Sequence, residues 1–423
     1  MKSFVKKVLS LFCLVILLVT AVGCDLSNFN IILENSKSGS NDKSGLTSAE
    51  IQRSVSGVSH SGLEKSTQSQ SQSVSKSSAL SSYELICLQS KNVLGVASLY
   101  QGGCLVKIKA KNDLDTIIVP ETLDGYVVKG VEEEGFYEQK SLEHVVLPNT
   151  VEIIKYGAFD RCKKLTNINM PSSLKVVEGR AFSRTNVKEL VFSEGLTSIG
   201  FAMCESCYNL KRVVLPNSLL TISDNAFSDC TNLSSVQISN ELIALGECAF
   251  NGCAKLGKLD LPKTLTSIGS YAFSCNRINE EYELPADMDY IPSGLYGGCD
   301  LITEIKIKPN VKTIYSNAYS GTSITTLTIP STVKKLEWFA FSSCAKLETV
   351  VVEEGITTLP QRLFEYSNNV KNVSLPSTIT DVYLVFDVES FETINYNGSM
   401  EDLLKINGIA DYIGQSTVVN CIQ

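Results

Sequence analysis

The residues of this 423-residue sequence best suited to chemistry are its fourteen cysteines and two histidines. Thiolates can serve as nucleophiles, metal ligands or redox pairs, and imidazoles as general acids or bases. Cys204-Glu-Ser-Cys207 has C-x-x-C spacing, which is redox-active in a thioredoxin-like setting and binds zinc when a second copy supplies two more ligands. Neither setting surrounds it. With only His60 and His144 available, histidine metal sites are nearly excluded and acid/base catalysis depends on His144. No G-x-S-x-G elbow, P-loop, G-x-G-x-x-G after a strand or H-E-x-x-H accompanies it. The expectation is a protein that is not an enzyme and needs no cofactor, metal or small-molecule substrate. A formal net charge of -8 also makes nucleic acid a poor partner.

The cysteines have a different meaning, because six of them keep a period. Cys162, Cys207, Cys230, Cys253, Cys299 and Cys344 fall at one position of a longer repeat, and Cys275 is one residue off it. They read as a buried ladder of small side chains, with Cys204 and Cys207 both on core positions. Cys87 and Cys104 stand outside the ladder and are the pair best placed for a disulfide. The repeat opens on an apolar residue at Leu142, Leu165, Val187, Leu210, Leu233, Leu256, Asn279, Ile302, Ile324, Leu347 and Val370, in steps of 23 residues except two of 22. Repeats of this length, eleven in a row, mean a solenoid.

Within a unit such as Leu210 to Cys230, Val213 and Leu215 share one side of a short strand and Val214 faces the other way. Pro216, like Pro148, Pro171, Pro262, Pro285, Pro330 and Pro376, ends the strand because it has no N–H for the ladder. A second extended stretch follows around Ile222, then a tight bend carrying Ala226-Phe227. The bend aromatic recurs as Phe159, Phe182, Phe227, Phe250, Phe273, Phe341 and Phe364, with Tyr296 and Tyr319 twice and Cys204 once. Burying such a side chain stabilises by roughly 1.5–3 kcal/mol, so the column accounts for cohesion without a cofactor. At about 4.8 Å per strand, eleven coils give a body roughly 50 Å long.

The pattern L-x-x-V-x-L-P-x-x-L-x-x-I-x-x-x-A-F-x-x-C resembles the BspA-like, or Treponema pallidum type, leucine-rich repeats of surface proteins. It runs from about residue 114 to 396. The resemblance implies a leucine-rich-repeat solenoid, mainly β, of about eleven coils of 22–23 residues, with a parallel sheet on one face and a cap at each end. Residues 81–141 read as the N-terminal cap with a degenerate first repeat, 142–390 as the repeats proper and 391–423 as a C-terminal cap. The resemblance also implies attachment to host matrix or cell-surface proteins.

Ahead of the repeats, Lys2, Lys6 and Lys7 precede an uncharged apolar run from Val8 to Val22. The run is shorter than the roughly 20 residues that span a bilayer and reads as a secretory signal peptide, residues 1–23. Ala21-Val22-Gly23-Cys24 suits ordinary signal cleavage and also resembles a bacterial lipobox, in which Cys24 takes the lipid. Two or three acyl chains hold firmly where one does not. Residues 24–80, centred on Ser66-Thr67-Gln68-Ser69-Gln70-Ser71-Gln72-Ser73, are too polar to fold and read as a tether with a reach of roughly 40 Å. The expectation is an exported protein, anchored to a membrane through its N-terminal lipid and displayed at the cell surface.

On such a body the outward strand residues form an extended face. Its central row is Val146, Asn169, Val191, Val214, Gln237, Asp260, Glu283, Lys306, Thr328, Val351 and Ser374. The row two residues earlier begins His144, Asn167, Glu189, Arg212 and continues to Asn372. Three valines at one end and Asp260, Glu281, Glu283 and Glu304 near the middle make a partly apolar, partly acidic strip suited to a protein ligand. The alternative is an envelope protein that self-associates and has no foreign ligand.

Overall fold

The computed structural model of the protein describes residues 89–109 and 113–422. The expected signal segment, Cys24, the expected tether and Cys87 lie outside these residues. Cys104 is a buried free thiol. From Thr116 to Cys421 the chain winds as a mainly β solenoid of about fourteen coils with almost no helix. Three of these coils were not counted from the repeat. Coil 1 carries strand Thr116–Ile118, and coils 13 and 14 carry Thr393–Tyr396 and Val418–Cys421, so the C-terminal region extends the sheet it was expected only to cap.

Each coil has three sides. The first is a short strand: Arg212–Val214 of coil 5 pairs in parallel with Ser235–Gln237 of coil 6, Val213 opposite Val236. Val213 is buried and Arg212 exposed, the alternation that a half-buried strand requires. The second side carries two-residue strands such as Thr221–Ile222, paired with Ala244–Leu245. The repeat suggested one sheet, but these segments build another. Together with the hairpin Leu94–Tyr100 and Gly103–Ile108 they form a ten-stranded sheet that reaches Ser267–Ile268.

The third side is a bend centred on the aromatic column. Residues two before and two after the aromatic are left-handed, as with Asn225 (φ 57°) and Asp229 (φ 58°) around Phe227. An L-residue held there costs roughly 1–2 kcal/mol, which glycine avoids. In coil 8 both positions are glycine, and the packing requires it: a Cβ on Gly294 would lie 2.1 Å from the Tyr271 ring and one on Gly298 2.8 Å from Cys275 Sγ.

Inside, the rings stack from coil to coil, Phe136 on Phe159 at 4.9 Å and Phe341 on Phe364 at 5.8 Å. The six periodic cysteines are buried as expected, and each thiol also donates to the carbonyl of the bend-centre residue one coil back. Cys162 reaches Phe136 O at 2.8 Å, Cys230 reaches Cys204 O at 3.1 Å and Cys344 reaches Tyr319 O at 3.4 Å. Ser367 does the same to Phe341 O at 3.0 Å. The column thus selects a small side chain with one donor.

The first sheet is not continuous. It runs through coils 1–3, 4–6 and 10–14, and is absent across residues 258–308. At three points the usual Cys-x-x-Leu turn is one residue shorter: Thr185-Asn-Val187, Asn276-Arg-Ile278 and Thr322-Ser-Ile324. The first and third mark the two 22-residue steps, and each coincides with a break in the sheet. The second moves the opening core position of coil 8 to Ile278, which is fully buried, in place of exposed Asn279. Tyrosine hydroxyls then occupy the ladder. Leu259 N donates to Tyr282 Oη at 3.2 Å and Tyr282 N to Tyr296 Oη at 3.0 Å. Tyr319 Oη donates to Glu281 Oε1 at 2.5 Å, while Lys306 N donates to Glu281 Oε2 at 2.6 Å.

Candidate binding surface

The outward rows fall on one face of the coils, but they are less uniform than the repeat implies. In the central row Val191, Gln237, Asp260, Glu283, Lys306 and Thr328 are exposed, and Asn169, Val214, Val351 and Ser374 are half-buried. Val146, expected in solvent, is buried at 4% exposure. It pairs with Ile118 of coil 1, whose N–H donates to the buried Ser90 hydroxyl at 3.0 Å, so the N-terminal segment closes over this end. On its other side the Asn169 amide takes the Leu147 N–H at 2.7 Å and donates to the Leu147 carbonyl at 2.8 Å. At the N-terminal end of the face the apolar part therefore reduces to Val191, 46% exposed, and its ladder neighbour Val214.

The expected acidic strip is offset by cations. Lys258 Nζ lies 2.8 Å from Glu280, Lys306 Nζ 3.4 Å from Glu304 and Lys308 Nζ 3.9 Å from Glu283. Glu281, in the neighbouring row, is turned to Tyr319 and the Lys306 amide, and the exposed carboxylates of the central row are Asp260 and Glu283. In the neighbouring row Arg212 is ion-paired with Glu189, and His144 is half-buried with its Nδ1 3.0 Å from the Asn167 amide.

The thiols do not meet His144. Cys204 and Cys207 are fully buried on the core side, Cys207 Sγ donating to Phe182 O at 3.0 Å. Burial pushes the Cys204 thiol up, and it pushes Cys162 up to about 12 and Cys344 up to about 11, so these thiols stay protonated and unreactive at neutral pH. Among the described residues no group of His, Cys, Asp and Glu could hold a metal ion, and no helix is long and apolar enough to cross a membrane.

Two surface features were not legible from the repeat. A shallow groove of about 430 Å³ follows the post-strand turns of coils 10–14, lined by Ser331, Glu354, Ser374, Asn395 and Asn397. Burial would raise the Glu354 carboxyl, but the Ser377 amide at 2.9 Å and the Asn397 amide outweigh it and hold the carboxyl below its usual range. The other is a set of arginines on the bends of coils 2 and 3. A strand-face template does not register it, because the bend positions vary freely in the repeat.

Comparison with known proteins agrees with this architecture. The family model described as the BspA type leucine rich repeat region matches residues 129–241, 221–344 and 289–405. A leucine rich cell surface protein from Faecalibacterium prausnitzii A2-165 is 21% identical, over 75% of this chain and 96% of its own, with a TM-score of 0.51. The pneumococcal vaccine antigen PcpA is 16% identical, over 78% of this chain and 96% of its own, with a TM-score of 0.50. At these identities the likeness is one of fold. A leucine rich repeat protein from T. pallidum is 32% identical over 46% of this chain and 89% of its own, with a TM-score of 0.41. No curated protein matches the chain. Built of these coils and matched by that family model over most of its length, the chain belongs to the BspA type leucine-rich-repeat family.

Proposed function

We propose that this is an exported lipoprotein, held to a membrane by acylated Cys24 and displaying its solenoid at the cell surface to bind proteins of host matrix or other cells. Residues 24–80 serve as the tether. The observation that carries the binding reading is the pair Val191 and Val214. They sit adjacent on the outward face, apolar and accessible, in a fold whose core is already complete from its own side chains. The fold relationship to a leucine rich cell surface protein supports the location. A strand face of this kind holds a ligand by shape and contact, with Asp260 and Glu283 setting its charge preference.

Solid-phase binding of the purified protein to a panel of matrix proteins and whole cells tests the reading, beside a Val191→Lys, Val214→Lys variant. Saturable binding that the variant loses is the expected result. Retained binding in the variant removes the strand face from the proposal, and no binding by the folded protein removes the adhesive role.

A further inference from the structure

The bends of coils 2–4 carry chemistry that the strand face lacks. Arg161, Arg180 and Arg184 are three of the seven arginines in the whole sequence. All three occupy left-handed bend positions (φ 61°, 55° and 56°), where coil 6 has Gly252 and coil 8 has Gly294 and Gly298. Their backbones are fixed whatever side chain they bear, Arg180 N donating to Phe201 O and Arg184 N to Glu205 O, each at 2.8 Å. Glycine would suit these backbone conformations better, so the bends themselves do not call for the guanidinium groups.

Arg161 is already hydrogen-bonded to Glu138 at 3.3 Å. Arg180 and Arg184 are different. Each places Nη2 3.8 Å from the same atom, Glu205 Oε2, beyond hydrogen-bond reach, and that oxygen is itself buried without a hydrogen-bond partner. Two half-buried donor forks therefore converge on Glu205 with the buried Asp160 carboxylate beside them, and neither carboxylate takes a hydrogen bond from either fork. Beside them is an aromatic wall. Arg180 Cζ lies 6.0 Å from the centre of the Phe201 ring, which is 46% exposed, and exposed Tyr156 lies against Gly179. A Cβ on Gly179 would come within 3.4 Å of Tyr156 Cδ2 and 2.9 Å of Phe201 O, so a side chain there would crowd the space between the two rings.

Arginine with exposed aromatics is the composition of a binding hot spot, and open guanidinium forks match carboxylates two bonds at a time. We infer that this bend flank docks an acidic segment of a protein partner: its carboxylates take the forks of Arg180 and Arg184, and an adjoining apolar side chain packs on Phe201 and Tyr156. Charge complementarity is local: three of the chain's seven arginines gather on two adjoining coils, and their guanidinium groups keep donors that Glu138, Asp160 and Glu205 do not take. The inference rests on the protein-binding reading above but moves a contact to a different side of the coil.

The test uses the full chain and short peptides in which phenylalanine is flanked by glutamates, with lysine-flanked and serine-flanked counterparts, titrated by calorimetry. The glutamate peptides should bind and the counterparts should not. An Arg180→Gly, Arg184→Gly variant should lose binding by about tenfold or more while keeping the parent's circular dichroism spectrum at the assay temperature, because the backbone hydrogen bonds at both positions do not use the side chain. Glu205→Gln should tighten binding by removing the internal competitor. Absence of binding by the glutamate peptides, or binding unchanged in the double-glycine variant, overturns the inference. Heparin binding more tightly than any peptide, and lost in the same variant, also overturns it by assigning the flank to a sulfated polysaccharide. The Val191→Lys, Val214→Lys variant should bind the peptides normally, so failure of the strand-face reading and failure of this one remain distinguishable.

Discussion

At the scale of the residue, repeat positions specify more than hydrophobicity. Where the turn has its full length in coils 2–11, the cysteine position holds a small side chain that donates to the preceding coil, and Ser367 does so in place of cysteine, whereas Thr185 and Thr322 in the shortened turns donate to the bend carbonyl of their own coil. The left-handed positions show the converse: the backbone there accepts arginine, phenylalanine, tyrosine, alanine and serine at a cost, so the coil does not fix the residue type. Single charged residues tune stability where the cap meets the first coils. Burial would raise the Glu132 carboxyl, but bonds from Lys155 at 2.6 Å, from Ser98 and from the Glu133 amide at 3.0 Å outweigh it and hold the group down at about 2. A carboxylate depressed in the folded state stabilises above its unfolded value of about 4.3 and loses that contribution as pH falls toward 2. Glu132→Gln should therefore lower Tm at pH 7, and should narrow the fall in Tm between pH 5 and pH 2, as read by circular dichroism melts across that range.

At the scale of the element, the strands from His144 onward are two to four residues long and are stable only through their neighbours. Coils 7–9 lack strand pairing on the first side and rely on tyrosine hydroxyls instead. Tyr296→Phe would leave the Tyr282 amide without its acceptor and should cost about 1 kcal/mol. Hydrogen exchange should quicken at Tyr282 and its neighbours while Val213 and Val350 stay protected; uniform quickening across all coils would contradict this. The coil itself was legible from the sequence: the alternation around Val213, the strand-ending prolines, the Phe227 column and the inward cysteines all stand as read. The interruption was not, because Tyr282 sits where a valine belongs, and an apolar-looking aromatic gives no sign that its hydroxyl will enter the ladder. Nor was the burial of Val146, which depends on the Ser90 segment, distant in sequence. The outward face was legible as a set of positions, but its charge was not, since Lys258, Lys306 and Lys308 reach their partners along and across coils.

At the scale of the whole molecule, most contacts join a residue to one some 23 positions away, so the fold is close to a one-dimensional array. Removing a full period, residues 211–233, rejoins equivalent positions and should give a folded protein one coil shorter. Removing only 211–221 should unfold the neighbouring coils, because it puts inward positions on the outward side. Circular dichroism and thermal melts of the two deletions distinguish these outcomes. A linear array also changes how its unfolding must be observed. The sole tryptophan, Trp338, is 60% exposed on the bend of coil 10. Its emission reports that coil and its immediate neighbours, and coils 1–6 could fray without altering the signal. A fluorescence melt of this protein is thus a local thermometer, and only a second emitter, such as tryptophan in place of Phe201, would make the two halves of the array visible independently.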